Sequence, residues 1–238
     1  SALDSYFQFA GFFKRWAEET RSPALFQGPK KCIHRTRLSR MLGIVLEYDM
    51  GRRPTVSIRV DERLVLRPAS LKNLGDLTEA FLETWPEVSR AMPWINPNED
   101  VENQLSDFLD EAERMGRAGL LHHWIIEDPR SDRLTGLIGF DRVTRSKKSD
   151  WNLGYWVRSL DQRQGIARKS IDAVLRWIGE ASHTVIEVKV DPNNKAGLTT
   201  VRRALRDWGG VRAPEGDASI TVAGLRTMHH CHLIEVGR

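Results

Sequence analysis

From about Asp61 to the end of the chain, stretches with the pattern of β-strands alternate with stretches that have the pattern of α-helices. The strand-like stretches are RLVLRP, HHWIIED, TGLIGFDRV, WNLGYWV, TVIEVKV, ASITVAG and RTMHHCHLIEV. In the stretches between them, apolar residues recur every three or four positions, as on the buried face of a helix. This alternation predicts an α/β fold, with helices packed on a sheet, rather than a helical bundle or a sandwich.

Four helices are predicted in this region, each with one apolar stripe. The stripes are Leu74, Leu77, Phe81 and Trp85; Val101, Leu105, Phe108, Leu109 and Ala112; Ile171, Val174, Leu175 and Ile178; and Val201, Leu205 and Trp208. Ser70 is the predicted N-cap of the first helix, and Gly209 and Gly210 end the fourth.

The first 60 residues differ from the rest of the chain in charge and in pattern. Residues 1–59 contain eleven Lys and Arg against five Asp and Glu, whereas the whole chain has a formal net charge of only +4. SYFQFAGFFKRWAEET predicts a helix, and GIVLEYD and TVSIRV predict short strands. We therefore expect an N-terminal extension over 1–60 and a main domain over 61–238. The basic extension also suggests a nucleic-acid or ribosome contact, which is a hypothesis.

Charge and cysteine content narrow the range of functions. The chain is mildly basic and lacks the charge density of a nucleic-acid-binding tail, so its charge suits a small anionic ligand better. No apolar run reaches the ~18 residues of a membrane span, and the two cysteines lack metal-ligand spacing. We therefore expect a cytoplasmic protein without a membrane partner. His229 and Cys231 alternate with His230 and His232 along one strand, so these residues point to opposite faces and no metal site is predicted.

The segment QRQGIARK, residues 162–169, follows a predicted strand and begins a predicted helix. A helix start presents backbone N–H groups without intrahelical partners, and it is the positive end of the helix dipole. Gly165 lets a phosphate approach the backbone, and Arg163, Arg168 and Lys169 add positive charge. Taken alone, the segment also fits a tolerated loop glycine with solvated bases beside it.

The same segment and its neighbours resemble a known family. Gln162, Gly165 and Ala167 match the pattern Q/R-x-x-G-x-G/A of the GNAT superfamily of acyl-CoA-dependent N-acetyltransferases, and within it the RimJ/RimL-like branch. ERLVLRPASLKNLGDL resembles the family's first strand and helix, and AMPWIN resembles the loop before its second helix. LIGFDRV, LGYWV and VKVDPNNKAG resemble its third, fourth and fifth strands. The resemblance covers about residues 61–236 and leaves the first 60 unexplained.

The resemblance implies a mixed, splayed β-sheet flanked by helices, with acetyl-CoA bound where the fourth and fifth strands separate and CoA as the product. The pyrophosphate would lie on the loop formed by Gln162, Arg163, Gln164, Gly165, Ile166, Ala167, Arg168 and Lys169. The pantetheine arm would pair with Tyr155, Trp156 and Val157 and pass Asn194. Read without the family, the DPNN run that contains Asn194 predicts only a turn after a strand.

Transfer to a primary amine requires a base for its proton, a polarised carbonyl and a proton for the departing thiolate. Many relatives have Glu two residues before the glycine of the fourth strand, where this chain has Asn152. They often have Ser three residues after the fifth-strand asparagine, where this chain has Gly197. The catalytic candidates are therefore Asn152, Tyr155 and, in place of the missing serine, Thr199 or Thr200. These departures support a second hypothesis, a catalytically degenerate acyl-CoA-binding or regulatory protein.

An acidic segment suggests the nature of the acceptor. Residues 76–113 contain eleven Asp and Glu and one base, Arg90. In the family these helices form one wall of the acceptor cleft, so carboxylates there would attract a cationic amine, such as a protein N-terminus, a polyamine or an aminoglycoside. The predicted acceptor contacts are Glu83, Glu87, Trp94 and Asp100. The alternative is a solvated acidic helix face.

Overall fold

The computed structural model describes residues 53–143, 148–222 and 225–237. The strands in these ranges are β1 (Ile58–Asp61), β2 (Leu64–Pro68), β3 (His122–Asp128), β4 (Arg133–Arg142), β5 (Trp151–Val157), β6 (Thr184–Val190), β7 (Val211–Arg212), β8 (Ala218–Val222) and β9 (Leu225–Val236). The helices are α1 (Leu74–Thr84), α2 (Val101–Arg117), α3 (Ile166–Gly179) and α4 (Lys195–Trp208). The predicted α/β fold is confirmed, as are the strands and helices predicted beyond residue 61.

The strands form one sheet in the order β1-β2-β3-β4-β5-β6-β9-β7, and β8 pairs with β9 outside this path. Neighbouring strands are antiparallel except β5 and β6, which are parallel. These two pair only through Trp151 with Ile186 and Asn152 with Glu187. Beyond Asn152 they separate, which confirms the splayed sheet that the family resemblance implies.

Helices cover both faces of the sheet, and each face has its own core. One core lies under α3 and α4 and includes Ile138, Phe140, Leu153, Ile171, Val174 and Ile186. The other lies under α1 and α2 and includes Leu77, Phe81, Leu105, Leu137 and Trp156. Because successive strand residues point to opposite faces, Leu137 and Ile138 belong to different cores. We refer to these sides as the α3–α4 face and the α1–α2 face.

Capping residues mark the start of α2 and the end of α4, whereas α1 begins later than predicted. Ser70 precedes a 3-10 turn, Leu71–Asn73, and α1 begins only at Leu74, so the predicted N-cap lies one turn early. Asp100 caps α2 by accepting a hydrogen bond from the backbone N–H of Asn103 at 2.9 Å. α4 ends at Gly209, whose φ of 75° is a left-handed conformation that favours glycine, as predicted.

The N-terminal helix and the strand GIVLEYD predicted before residue 53 lie outside the described residues. Of the predicted strand TVSIRV, Ile58–Val60 form β1 together with Asp61 and pair with β2. The carbonyl of Val56 also accepts a hydrogen bond from the indole of Trp124 at 2.8 Å. These contacts join residues 56–60 to the main sheet, while the division at residue 60 stays a prediction. Within the described residues, no helix is long and apolar enough to cross a bilayer.

Candidate active site

A cavity of about 810 Å³ lies where β5 and β6 separate. Fifteen of the nineteen residues predicted for the site line it. They are Glu87, Trp94, Asn152, Tyr155, Trp156, Val157, Gln162, Arg163, Gly165, Ile166, Ala167, Arg168, Asn194, Thr199 and Thr200. The other four, Glu83, Asp100, Gln164 and Lys169, lie outside its lining. The sheet therefore brings together residues from the strand, the loop and two helices that the sequence could only suggest were neighbours.

The loop before α3 presents the start of that helix to the cavity. Gly165 is the N-cap with φ 80°, a conformation that suits glycine, and no side chain caps the first turn. A Cβ built on Gly165 would meet no protein atom within 4 Å. Gln162 holds the loop against β5, because its amide donates to the carbonyl of Val157 at 3.0 Å. The first-turn N–H groups are therefore available to an anion in the cavity.

The bases of the loop take different positions. Arg163 and Arg168 line the cavity, and Arg168 also pairs with Asp207 at 3.0 Å. Lys169, one turn into α3, instead pairs with Asp61 of β1 at 2.6 Å. The amide of Gln164 is exposed and donates to the carbonyl of Leu160 at 3.4 Å. A helix turns 100° per residue, so adjacent bases cannot all face one ligand.

Two further bases line the cavity from α4. Lys195 and Arg203 both face it, and the sequence analysis did not select either. They lie eight positions apart on one helix, which at 100° per residue places them about 80° apart, within one side of the helix. That spacing was the available signal, but it becomes informative only once α4 is known to border the cavity.

The free edge of β5 forms one wall. Tyr155, Trp156 and Val157 line the cavity beyond the last β5–β6 pair, while their other edge pairs with β4. Backbone groups on the cavity side therefore have no strand partner within the described residues. Such an edge can hydrogen-bond an extended amide-containing chain, as a neighbouring strand would.

Tyr155 and Thr200 both line the cavity, and the Thr200 hydroxyl is the polar group that most affects the Tyr155 phenol. Thr200 also donates to the carbonyl of Ala196 at 3.0 Å, which is a common use of threonine in a helix. Burial raises the pKa of Tyr155 to about 12, against a smaller opposing effect of Thr200. The phenol therefore stays protonated at neutral pH and acts as a hydrogen-bond donor.

Asn194 has a structural role in addition to its place in the lining. Its side-chain oxygen caps α4 by accepting from the backbone N–H of Gly197 at 2.8 Å. A Cβ on Gly197 would lie 2.8 Å from the Asn194 amide nitrogen. The glycine that replaces the usual serine therefore fits closely against this cap.

A buried polar group that the sequence analysis missed lies beside Asn152. Glu187 pairs with Asn152 across the parallel junction, and its carboxylate accepts from Ser149 at 2.8 Å. Lys189 forms an ion pair with Glu187, and Lys189 itself lines the cavity. The two-residue spacing puts Glu187 and Lys189 on one face, which was the available signal. Only the junction with β5 places them at the site.

Two of the predicted acceptor contacts have other partners. Arg158 at the end of β5 is buried, and it binds both Glu83 and Glu79 of α1. The Glu83 carboxylate therefore balances a buried charge. Asp100 caps α2, as described above. Glu87 and Trp94 do line the cavity, together with Arg90. The acidic residues between 76 and 113 are thus much less available to a ligand in the cavity than the composition suggests.

The β8–β9 hairpin closes one side of the cavity. Ile220 and Thr221 of β8 and His229 of β9 line it. His230 and His232, on the opposite side of β9, do not line it. Among the residues described, no three His, Cys, Asp or Glu side chains are grouped to bind a metal. Burial raises the pKa of the Cys231 thiol to about 11, so this thiol is protonated at neutral pH.

Solved structures share this fold. Ribosomal-protein-S5-alanine acetyltransferase from Vibrio fischeri superposes with a TM-score of 0.61 at 16% identity, over 75% of this chain and 95% of that one. RimL, the ribosomal L7/L12 alpha-N-protein acetyltransferase in complex with coenzyme A, gives 0.63 at 18%, over 76% and 98%. The Microcin C7 self immunity acetyltransferase MccE, in complex with acetyl-CoA and AMP, gives 0.60 at 19%, over 78% and 98%.

The sequence itself gives one family match. No curated protein matches the chain. The family model described as acetyltransferase (GNAT) domain matches residues 63–204, more than half of the chain. The match runs from β2 into α4 and so includes β5, β6 and the loop before α3. The chain therefore belongs to the GNAT family of acetyltransferases.

Proposed function

We propose that this protein transfers the acetyl group of acetyl-CoA to the primary amine at the N-terminus of a protein or peptide. One observation carries the proposal. A single cavity joins the start of α3 to the β8–β9 hairpin through the gap between β5 and β6. A donor and an acceptor can therefore enter from two ends and meet beside Asn152 and Tyr155, with their reacting groups held close together.

The donor end matches the parts of acetyl-CoA. Backbone N–H groups at Gly165, Ile166 and Ala167, with Arg163 and Arg168, would hold the pyrophosphate. The open space at Gly165 supports this assignment, because a phosphate needs close contact with the backbone. The free edge of β5 would hold the amide groups of pantetheine. When bound, acetyl-CoA supplies an activated acyl carbon.

Tyr155 would assist departure of the thiolate by donating a hydrogen bond. Its raised pKa keeps the phenol neutral, so it stabilises charge on sulfur without giving up its proton. Thr200, a neighbouring hydroxyl in the same lining, would help to orient the phenol.

The acceptor end of the cavity has fewer available acidic groups than the sequence suggested. Glu87 is the acidic acceptor contact still available, and it stands near Trp94 at the exposed mouth of the cavity. We place a cationic group of the acceptor against Glu87 and its apolar part against Trp94. The protein N-terminus is favoured over a polyamine or an aminoglycoside because RimL and the Vibrio fischeri structure are described as ribosomal-protein acetyltransferases.

A thiol-release assay with a panel of acceptors tests the proposal. The panel contains tetrapeptides with N-terminal alanine or serine, the same peptides with blocked N-termini, spermidine and kanamycin. We expect CoA release with the free peptides and none with the blocked ones. Release with spermidine or kanamycin alone would shift the acceptor class to small amines. Tight CoA binding with no release from any of them would instead support the degenerate binding protein, which the neutral Asn152 favours.

A further inference from the structure

His229 lies in the acceptor wall and makes one specific contact. The side chain belongs to β9, lines the cavity and is 4% exposed. Its Nδ1 lies 3.0 Å from the carbonyl oxygen of Thr227. A carbonyl oxygen can only accept, so in the neutral ring the proton sits on Nδ1. The other nitrogen, Nε2, therefore carries the lone pair of a base.

The lone pair on Nε2 is accessible. Among the described residues, the His229 ring makes its hydrogen bond through Nδ1, and Nε2 has no protein partner. Nε2 is also not fully enclosed by protein atoms. Since the residue lines the cavity and is otherwise buried, Nε2 is open to the cavity. Ile220 and Thr221 of β8 flank this part of the wall.

The other acid and base groups around the cavity are less suited to accept the proton, and most of them have a partner. Asp161 pairs with Arg133 through Oδ1, which holds its carboxylate beside a permanent positive charge. Asp191 accepts from the backbone N–H of Asn193 at 2.8 Å. Lys189 pairs with Glu187, which is not itself a lining residue. Asn152, where many relatives have a carboxylate, cannot take up a proton. Glu87 stands at the exposed mouth, where water competes for its oxygens.

We propose that Nε2 of His229 is the general base that accepts the proton of the attacking amine, an inference that rests on the proposed function. The amine nitrogen forms a bond to the acetyl carbonyl carbon as Nε2 takes one proton from that nitrogen. The carbon–sulfur bond breaks, and its electron pair stays on sulfur as thiolate. Solvent then removes the proton from the imidazolium and supplies one to the thiolate. The contact with Thr227 keeps Nδ1 protonated throughout.

The variant His229→Asn removes the proposed base and keeps the contact that holds its side chain in the fold. The asparagine amide nitrogen can occupy the place of Nδ1 and still donate to Thr227, but nothing replaces Nε2. With acetyl-CoA and a tetrapeptide with N-terminal alanine, we expect kcat to fall about 100- to 10,000-fold, the usual contribution of a general base. The KM for acetyl-CoA and the calorimetric Kd for CoA should stay at wild-type values. His230→Asn, on the opposite side of β9, is the matched control and should retain kcat.

A second measurement does not depend on activity. Long-range proton–nitrogen spectra of the imidazoles, with the His229 signals assigned by their loss in His229→Asn, report which ring nitrogen carries the proton. At a pH where the ring is neutral, we expect its proton on Nδ1. Protonation at Nε2, or a His229→Asn variant with wild-type kcat, would overturn the proposal while wild-type transfer leaves the proposed function intact. Absence of transfer by the wild-type enzyme to every acceptor in the panel would overturn both.

Discussion

Replacing Gly165 by alanine should separate binding of the donor from stability of the fold. The residue has φ 80°, and an added Cβ meets no protein atom within 4 Å. The cost to folding is therefore only that of a left-handed alanine, about 1–2 kcal/mol. Gly209 is the matched control, since it has φ 75°, an equally open Cβ position and no place in the cavity lining. Gly209→Ala should lose a similar amount of stability.

The two variants should differ in their affinity for CoA. Gly165 lines the cavity, so its new methyl group would lie at the helix start to which the pyrophosphate is assigned. Loss of one hydrogen bond to a charged group costs about 1.5–3 kcal/mol, so Kd should rise about 10- to 100-fold. Gly209→Ala should bind CoA as the wild type does.

Urea unfolding without ligand and calorimetric titration with CoA measure these two effects. Acetyl-pantetheine, which lacks the pyrophosphate, provides a further control as acetyl donor. Its kcat/KM should be nearly the same for Gly165→Ala and Gly209→Ala. Equal CoA affinities in the two variants would refute the assignment of the loop as the pyrophosphate site.

Two further predictions concern the acceptor wall and Tyr155. Glu83→Gln should reduce the free energy of unfolding by about 1–3 kcal/mol, because Arg158 loses a charged partner, and should leave the acceptor KM unchanged. Glu87→Gln should raise the acceptor KM several-fold and change the free energy of unfolding by less than about 0.5 kcal/mol. A raised acceptor KM in Glu83→Gln together with lost stability in Glu87→Gln, measured by kinetics and chemical unfolding, would contradict these roles. The raised pKa of Tyr155 means that its stabilising effect is complete below pH 10 and is lost as pH rises towards 12. An absorbance titration should therefore show one tyrosine signal, absent in Tyr155→Phe, that ionises well above pH 10.

The sequence determined the order and type of the secondary structure, because strand and helix periodicities are local. The segments WNLGYWV and TVIEVKV correspond to β5 and β6 over their full lengths. The glycine at the start of α3 was also visible in the sequence, and glycine adopts its left-handed conformation, φ 80°, without strain. These features need only the nearest few residues along the chain.

Only the tertiary structure decided which charged side chains face the cavity. Arg158 and Glu83 are 75 positions apart, and Lys169 and Asp61 are 108 apart, so no local pattern reveals that these groups are paired. His229 likewise reaches the cavity because β9 pairs with β6 in the sheet and with β8 in the hairpin. The chain carries many charges, but long-range packing determines which of them are engaged in the fold and which remain for a ligand.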